Sequence, residues 1–237
     1  MNFKDDIHYF SEEGYMLIQD VFALENSYQI IKEAYSIKID KEDYSPIMNP
    51  HMQSKAIMSA ISNHKILKFV EHYFNEEAFG LQTEFFFMPP KTKGFTPHQD
   101  NSYIEAEEGS FISAWIALTD INKDNGGLII WPGSHKEKKL DSIENLNSIE
   151  NFSKQLANQD QNARRRSTII PSIYKEYSPS VKRGEVLMIH QWLVHSSNDN
   201  NSVNNRYVLL CTYLKKGASF RPGKTAKRKP FKLVKKT

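Results

Sequence analysis

The sequence predicts a mainly β fold with flanking helices, of the antiparallel sandwich or jelly-roll type, and three observations carry that expectation. From Phe79 onward, short apolar runs follow one another, each bounded by turn-forming residues. Helical periodicity is confined to the front of the chain, so helices do not alternate with strands as a parallel βαβ sheet requires. The composition is that of a folded chain: 237 residues with 39% hydrophobic, 12% aromatic and 25% charged side chains exclude collagen, coiled coil and disorder.

Taken in order, Ile7-His8-Tyr9-Phe10 reads as a short helix, Gly14 as a turn and Tyr15-Met16-Leu17-Ile18 as a strand. Leu24 to Ile37 carries apolar residues at helical spacing, and Ala56 to Phe74 reads as one or two further helices broken near Ser62-Asn63. These helices are expected to cover one face of a sheet. The strands follow: Leu81–Met88, Phe111–Thr119, Leu128–Trp131, Glu185–Ile189, Trp192–His195 and Tyr207–Leu214. Pro89-Pro90, Asn125-Gly126-Gly127, Pro132-Gly133-Ser134 and Arg183-Gly184 separate them.

Residues 1–214 are expected to form one domain, interrupted by a polar insertion over 136–182, either a surface excursion with one helix or a lid over a site. Residues 215–237 form a basic tail with ten Lys and Arg and no acid, which leaves 21 basic against 28 acidic residues in the rest. The tail is expected to be a solvated, partly disordered appendage. With only Phe220 and Phe231 interleaved, it is no stacking platform, so nucleic acid is not an expected partner. No apolar run is long enough to span a bilayer and the first residues do not read as a signal peptide, so a cytoplasmic location is expected. Cys211 is the one cysteine and sits in an apolar stretch, which predicts a buried thiol rather than a nucleophile.

Among eight histidines, context singles out His98 in His98-Gln99-Asp100. In extended chain, residues two apart project to the same side, so imidazole and carboxylate can reach one metal ion. His190 and His195 are five apart and face opposite ways in a regular strand, so one of them would complete the site. Arg206 favours His195: it follows eleven residues later, beyond a very polar turn, so the next antiparallel strand can return its guanidinium to the same mouth. Two imidazoles and a carboxylate suit non-haem Fe(II) and O₂, while ligand count alone leaves a hydrolytic zinc site open. Arg206 favours the iron reading, because a two-pronged cation fits a distal carboxylate such as that of 2-oxoglutarate. On the strand Leu81–Met88, alternation puts Gln82, Glu84 and Phe86 on one face, which is either the lining of a wet cavity or an edge with Glu84 in solvent.

Together, His98-Gln99-Asp100 with Tyr103 following, Trp115-Ile116-Ala117-Leu118, Asn125-Gly126-Gly127-Leu128, Pro132-Gly133-Ser134-His135, and His195 with Ser197 and Arg206 resemble the phytanoyl-CoA dioxygenase-like branch of the Fe(II)/2-oxoglutarate oxygenases. The resemblance implies a double-stranded β-helix, cupin-like, in which His98, Asp100 and His195 bind iron and Arg206 pairs with the far carboxylate of 2-oxoglutarate. It also implies that Trp115 and Ser197 line the cosubstrate site, that Gln82, Glu84, Phe86 and Tyr103 face a small-molecule substrate, and that His135 is a turn or supporting residue. The activity so implied is hydroxylation of an unactivated C–H bond with O₂, releasing succinate and CO₂. Desaturation or cyclisation at the same iron, or a non-catalytic metal-binding β-helix, are the alternatives.

Overall fold

The computed structural model describes residues 3–37, 46–144, 166–224 and 226–235. Helix α1 (Phe3–Glu13) leads to strand β1 (Tyr15–Ile18), helix α2 (Leu24–Ser36), the short β2 (Ile47–Met48), helices α3 (Lys55–Ile61) and α4 (His64–Phe74), and the long strand β3 (Ala78–Met88). The one-turn helix α5 (Asn101–Ile104) precedes β4 (Phe111–Ala117), β5 (Leu128–Ile130), β6 (Ser142–Glu144), β7 (Arg166–Thr168), β8 (Val186–His190), β9 (His195–Ser197) and β10 (Arg206–Lys215). The break foreseen at Ser62-Asn63 has a local cause, since Asn63 accepts the Lys65 N–H and starts α4 afresh, as Ser54 does for α3 through Ile57.

Six strands form the main sheet in the order β1-β8-β4-β10-β3-β2, every pair antiparallel. Alternation along the central strands divides its faces. Leu209, Cys211 and Tyr213 of β10 join Phe85, Ala114, Ile116 and Met188 in a core shared with the helices. Val208 with Phe86, Trp115, Leu187 and Ile189 faces the other way, toward a second, smaller sheet. A fully buried side chain of this size stabilises by roughly 1.5–3 kcal/mol, so this two-sided burial is what holds the layers together. Cys211 is fully buried, and burial pushes its thiol well up, as expected of an inert core residue.

The second sheet is built from short pieces. β5 pairs with β9, and single-rung pairings add His98 beside His195 on one side and Tyr177 beside Ile130 on the other. Two antiparallel sheets packed face to face form the double-stranded β-helix, or jelly roll. The expected strand Trp192–His195 is shifted: Gln191-Trp192 turn, with the Leu193 N–H on the His190 carbonyl, and the strand begins at His195. The described parts of the insertion, 136–144 and 166–182, include the antiparallel pair β6 and β7, whose Thr168 N–H donates to the Pro97 carbonyl, and the pairings of Tyr177 with Ile130 and Val181 with Ile121. The helix and lid readings of this insertion fall largely on residues 145–165, outside the described residues.

One expectation is corrected. The C-terminal segment is no solvated appendage among its described residues: Phe231 pairs with Gly80 through two backbone hydrogen bonds, and its ring stacks on His51 at 3.9 Å. A Cβ on Gly80 would lie 2.2 Å from that ring, so glycine is required there. Arg228 and Ala226 are buried, and the Val234 N–H reaches the Ser62 hydroxyl. Counting charges misled because the partners of these residues lie far away in sequence. Among the described residues, no helix is long and apolar enough to cross a membrane.

Burial holds His51 down to about 4 and His190 to about 3. The unfolded chain takes up protons on these groups near pH 6.5, whereas the fold keeps them neutral, so their contribution is complete above about pH 6.5 and is lost as pH falls toward 4 and below. The melting midpoint of metal-free protein is therefore expected to fall steadily from about pH 7 to about pH 4.5. A midpoint that stays level across that interval would contradict it.

Candidate metal centre

Backbone pairing brings the first two candidate ligands together. The His98 N–H donates to the His195 carbonyl at 2.9 Å and the His195 N–H to the His98 carbonyl at 3.0 Å. Residues closed by two such bonds stand directly opposite with side chains on one face, and the two imidazole centroids are 4.2 Å apart. Asp100 follows at the start of α5, its Oδ1 3.6 Å from His195 Nε2 and 3.9 Å from His98 Nε2. One donor atom from each of the three lies within 4.8 Å of the others.

Hydrogen bonds behind the three side chains set which atoms face inward. His98 Nδ1 meets the Thr96 carbonyl at 2.8 Å and His195 Nδ1 the Leu193 carbonyl at 3.1 Å. Carbonyls only accept, so both Nδ1 atoms carry the proton and both Nε2 lone pairs point at the common centre. Burial, then the neighbouring His195, outweigh Asp100 and hold His98 down to about 4, in the neutral form a metal needs. The Ser113 hydroxyl donates to Asp100 Oδ2 at 3.1 Å, which turns Oδ1 inward. The donor set thus fits a borderline divalent cation such as Fe(II).

The structure separates the histidines, by the turn at Gln191-Trp192 between β8 and β9 rather than by alternation along one strand. His190 lies on the helix side of the sheet, 4.7 Å from the His135 ring and near Phe10 and Tyr73, and its Nδ1 accepts the Trp192 N–H. His135 donates through Nε2 to the Ser11 carbonyl and supports the turn. Neither is beside Asp100.

Arg206 opens β10 opposite Met88 and is 3% exposed. Its Nη2 donates to Met88 Sδ, and its guanidinium carbon lies 5.8 Å from the Trp115 ring centre. Gly126, at φ 89°, makes this packing feasible, since a Cβ there would meet Met88 Sδ at 2.6 Å and Arg206 Nε at 3.4 Å. Arg206, Trp115, Ser197 and the three candidate ligands line one cavity, walled by Phe86, Phe95, Leu128, Ile189 and Leu210. The Ser197 hydroxyl itself accepts the Phe95 N–H at 2.8 Å.

Tyr103 stands beside His98, ring centres 6.1 Å apart, and burial, followed by Asp100, pushes its phenol up to about 12. Of the other residues expected to face substrate, only Phe86 reaches the cavity wall. Gln82 and Glu84 lie farther along β3, each 1% exposed, with Gln82 donating to Glu84 at 2.6 Å and accepting from Arg228 Nε at 2.6 Å. The polar alternation of β3 is answered by a buried arginine, and Gln82 and Glu84 neither line the cavity nor lie at an exposed edge.

Gln99 was legible only as the spacer between two candidate ligands. It points away from them, fully buried, and its amide donates to the Lys138 and Trp192 carbonyls at 2.7 Å while accepting the Leu140 N–H at 2.9 Å. The clue was in its position: when His98 and Asp100 share one side, Gln99 must face the other, and a long amide there needs buried partners.

Comparison with known proteins places the chain. Residues 10–208 match the family model for Phytanoyl-CoA dioxygenase (PhyH). A protein of Stutzerimonas stutzeri named probable alpha-ketoglutarate-dependent hypophosphite dioxygenase is 24% identical over 89% of this chain and 78% of its own length. Peroxisomal phytanoyl-CoA dioxygenase of Homo sapiens is 22% identical, with 86% of this chain and 66% of its own length covered. Phytanoyl-CoA dioxygenase 1 of Oryza sativa subsp. japonica is 32% identical over 54% of this chain, covering 42% of its own length. The last two relatives are thus covered over less than two thirds of their length. Among solved structures, the epimerase SnoN in complex with Fe3+, alpha ketoglutarate and nogalamycin RO superposes at a TM-score of 0.75, with 15% identity over 93% of this chain and 86% of that one. EctD from S. alaskensis, with 2-oxoglutarate and 5-hydroxyectoine, gives 0.67 with 17% identity over 89% and 75%. At such identities these structures share the fold.

Ser113→Ala removes the hydroxyl that donates to Asp100 while changing little volume. Loss of such a supporting partner costs roughly ten- to a hundred-fold in metal affinity. Titration of the variant with a divalent metal is expected to show at least a ten-fold weaker dissociation constant with the fold intact; an unchanged constant would mean that the hydroxyl does not orient the carboxylate.

Proposed function

The chain belongs to the phytanoyl-CoA dioxygenase (PhyH) family of Fe(II)/2-oxoglutarate-dependent oxygenases, and from that premise we propose that it hydroxylates an unactivated C–H bond of a small-molecule metabolite, with release of succinate and CO₂. The observation that carries the reading is a single cavity in which three inward donor atoms share space with a buried arginine and a tryptophan face.

His98 Nε2, Asp100 Oδ1 and His195 Nε2 would hold the iron. When bound, the metal and its 2-oxo acid supply the oxidising chemistry, which the protein only places and shields. The chain's own residues then have separate tasks. Arg206 receives the far carboxylate of the 2-oxo acid in a nearly dry setting, where a two-pronged cation is most effective. Trp115 stacks against the guanidinium and limits its swing. Phe86, Phe95, Leu128, Ile189 and Leu210 exclude water and suit a substrate whose reacting carbon lies on an apolar part. Tyr103, beside His98 with a phenol that stays protonated, can donate one hydrogen bond to a substrate entering from that side.

The test is turnover and its labels. Purified protein with Fe(II) and 2-oxoglutarate is expected to form succinate and, once a substrate is supplied, to place ¹⁸O from ¹⁸O₂ in the product. Succinate with unlabelled product would indicate desaturation or cyclisation, and absence of succinate with any substrate would favour a binding protein.

Two variants probe the roles. Anaerobic Fe(II) with 2-oxoglutarate is expected to give a weak visible charge-transfer band that His195→Ala abolishes and His190→Ala keeps; the opposite pattern would move the ligand to His190. Truncating one partner of a buried charged pair costs roughly 2–5 kcal/mol, so Arg206→Met is expected to raise the apparent constant for 2-oxoglutarate at least about thirty-fold. An unchanged constant would leave Arg206 a structural residue only.

A further inference from the structure

The C-terminal segment lies beyond the residues the family model matches, yet it reaches the turn that follows Asp100. Its contacts converge on α5, the single turn that starts at Asp100. The Tyr103 carbonyl accepts Arg221 Nε at 2.9 Å and Nη2 at 2.7 Å, and Arg228 Nη1 at 3.4 Å. The Arg221 N–H donates to the Ile104 carbonyl at 2.6 Å. Arg228 also donates to the Arg221 carbonyl at 3.0 Å, so the two guanidiniums form one bracket around the end of the turn.

The bracket has a fixed base. Arg228 is 4% exposed and donates through Nε to Gln82, which in turn donates to Glu84, both on the strand whose Phe86 walls the cavity. Behind it, the segment is anchored by the Phe231–Gly80 pairing in which the ring displaces any side chain. A four-residue helix has little stability of its own, since nucleating a turn is costly, so external bonds to its last carbonyls decide where it sits. Asp100 is the residue before that turn, and Tyr103 is within it.

We propose that the C-terminal segment, acting through Arg228 and Arg221, is a positioning element of the metal centre: it holds the turn after Asp100 against β3 and thereby sets the carboxylate and the Tyr103 ring relative to His98. The proposal rests on the metal reading of His98, Asp100 and His195. Arg228 is a positioning residue, not a catalytic one, because its bonds go to Gln82 and to the Tyr103 and Arg221 carbonyls, to none of the three candidate ligands. The other charges of the segment are incidental to this task; the buried Arg228 and the partly exposed Arg221 perform it.

The experiment measures binding of Co(II) alone, as a spectroscopic stand-in for Fe(II), to the full-length chain alongside its melting midpoint. Arg228→Gln is expected to weaken Co(II) binding at least about ten-fold, the effect of losing a supporting partner, and to alter the visible band. Arg228→Lys, which keeps the charge but not the fork, is expected to fall between it and the unaltered protein. Arg221→Gln provides the variant that folds in any case, because its side chain is 42% exposed, and is expected to weaken binding by a smaller factor. Ile57→Ala, in the helical layer away from the site, is expected to lower the melting midpoint while leaving Co(II) affinity unchanged. Unchanged affinity in both arginine variants would overturn the proposal, and so would an equal loss in Ile57→Ala, since affinity would then follow stability alone. Failure of the unaltered protein to bind Co(II) would overturn this proposal together with the metal reading beneath it.

Discussion

The reciprocal pair of backbone hydrogen bonds between His98 and His195 joins two segments almost a hundred residues apart, and the arrangement of the site follows from it. Because the two residues are closed by both bonds, their side chains cannot face different ways, and the imidazoles meet without help from a metal. The pairing also places the Thr96 and Leu193 carbonyls where each can take an Nδ1–H, so the same strand geometry that gathers the rings chooses their tautomer. Asp100 is then within reach through nothing more than its distance of two residues. What remains to be supplied is rigidity behind the ligands, and that comes from Gln99, Ser113 and the arginine bracket on α5.

Gln99, Ser113 and Arg228 have a common character: each is a buried polar group whose hydrogen bonds are made to backbone or to another buried polar group. Leaving such a group unsatisfied costs roughly 1–3 kcal/mol, so a displaced turn would forfeit several bonds at once. The site is therefore held by many modest interactions that fail together. The apolar wall acts differently, through exclusion of water around Arg206 and the ligands, where charge-assisted bonds gain strength as solvent is removed. Its Met88–Gly126 backing shows the same economy, a missing Cβ giving the guanidinium its seat.

The architecture was legible because antiparallel strands bounded by turn residues leave a local pattern, and β3, β4, β5, β8 and β10 all lie where alternation and breakers put them. The candidate ligands were suggested by the two-residue spacing of His98 and Asp100, and it was the eleven-residue step from His195 to Arg206, rather than parity, that favoured His195 over His190. The start of β9 was misplaced because the turn at Gln191-Trp192 is written in the apolar residues of its surroundings, without Gly or Pro to mark it. The C-terminal segment was misread for a deeper reason. Charge counts report what a side chain prefers alone, whereas Arg228 bonds Gln82 and the Tyr103 carbonyl, contacts that no local window contains. The polar face of β3 was noticed but left between a wet cavity and an exposed edge, and the partner of Gln82 lay 146 residues downstream.

Structure determination at the iron absorption edge, on crystals grown with Fe(II) and 2-oxoglutarate without oxygen, tests the central claim most directly. The account predicts one anomalous peak bounded by His98 Nε2, Asp100 Oδ1 and His195 Nε2, with the far carboxylate of the 2-oxo acid on Arg206. Iron bound elsewhere, or a 2-oxo acid whose far carboxylate turns away from Arg206, would contradict it.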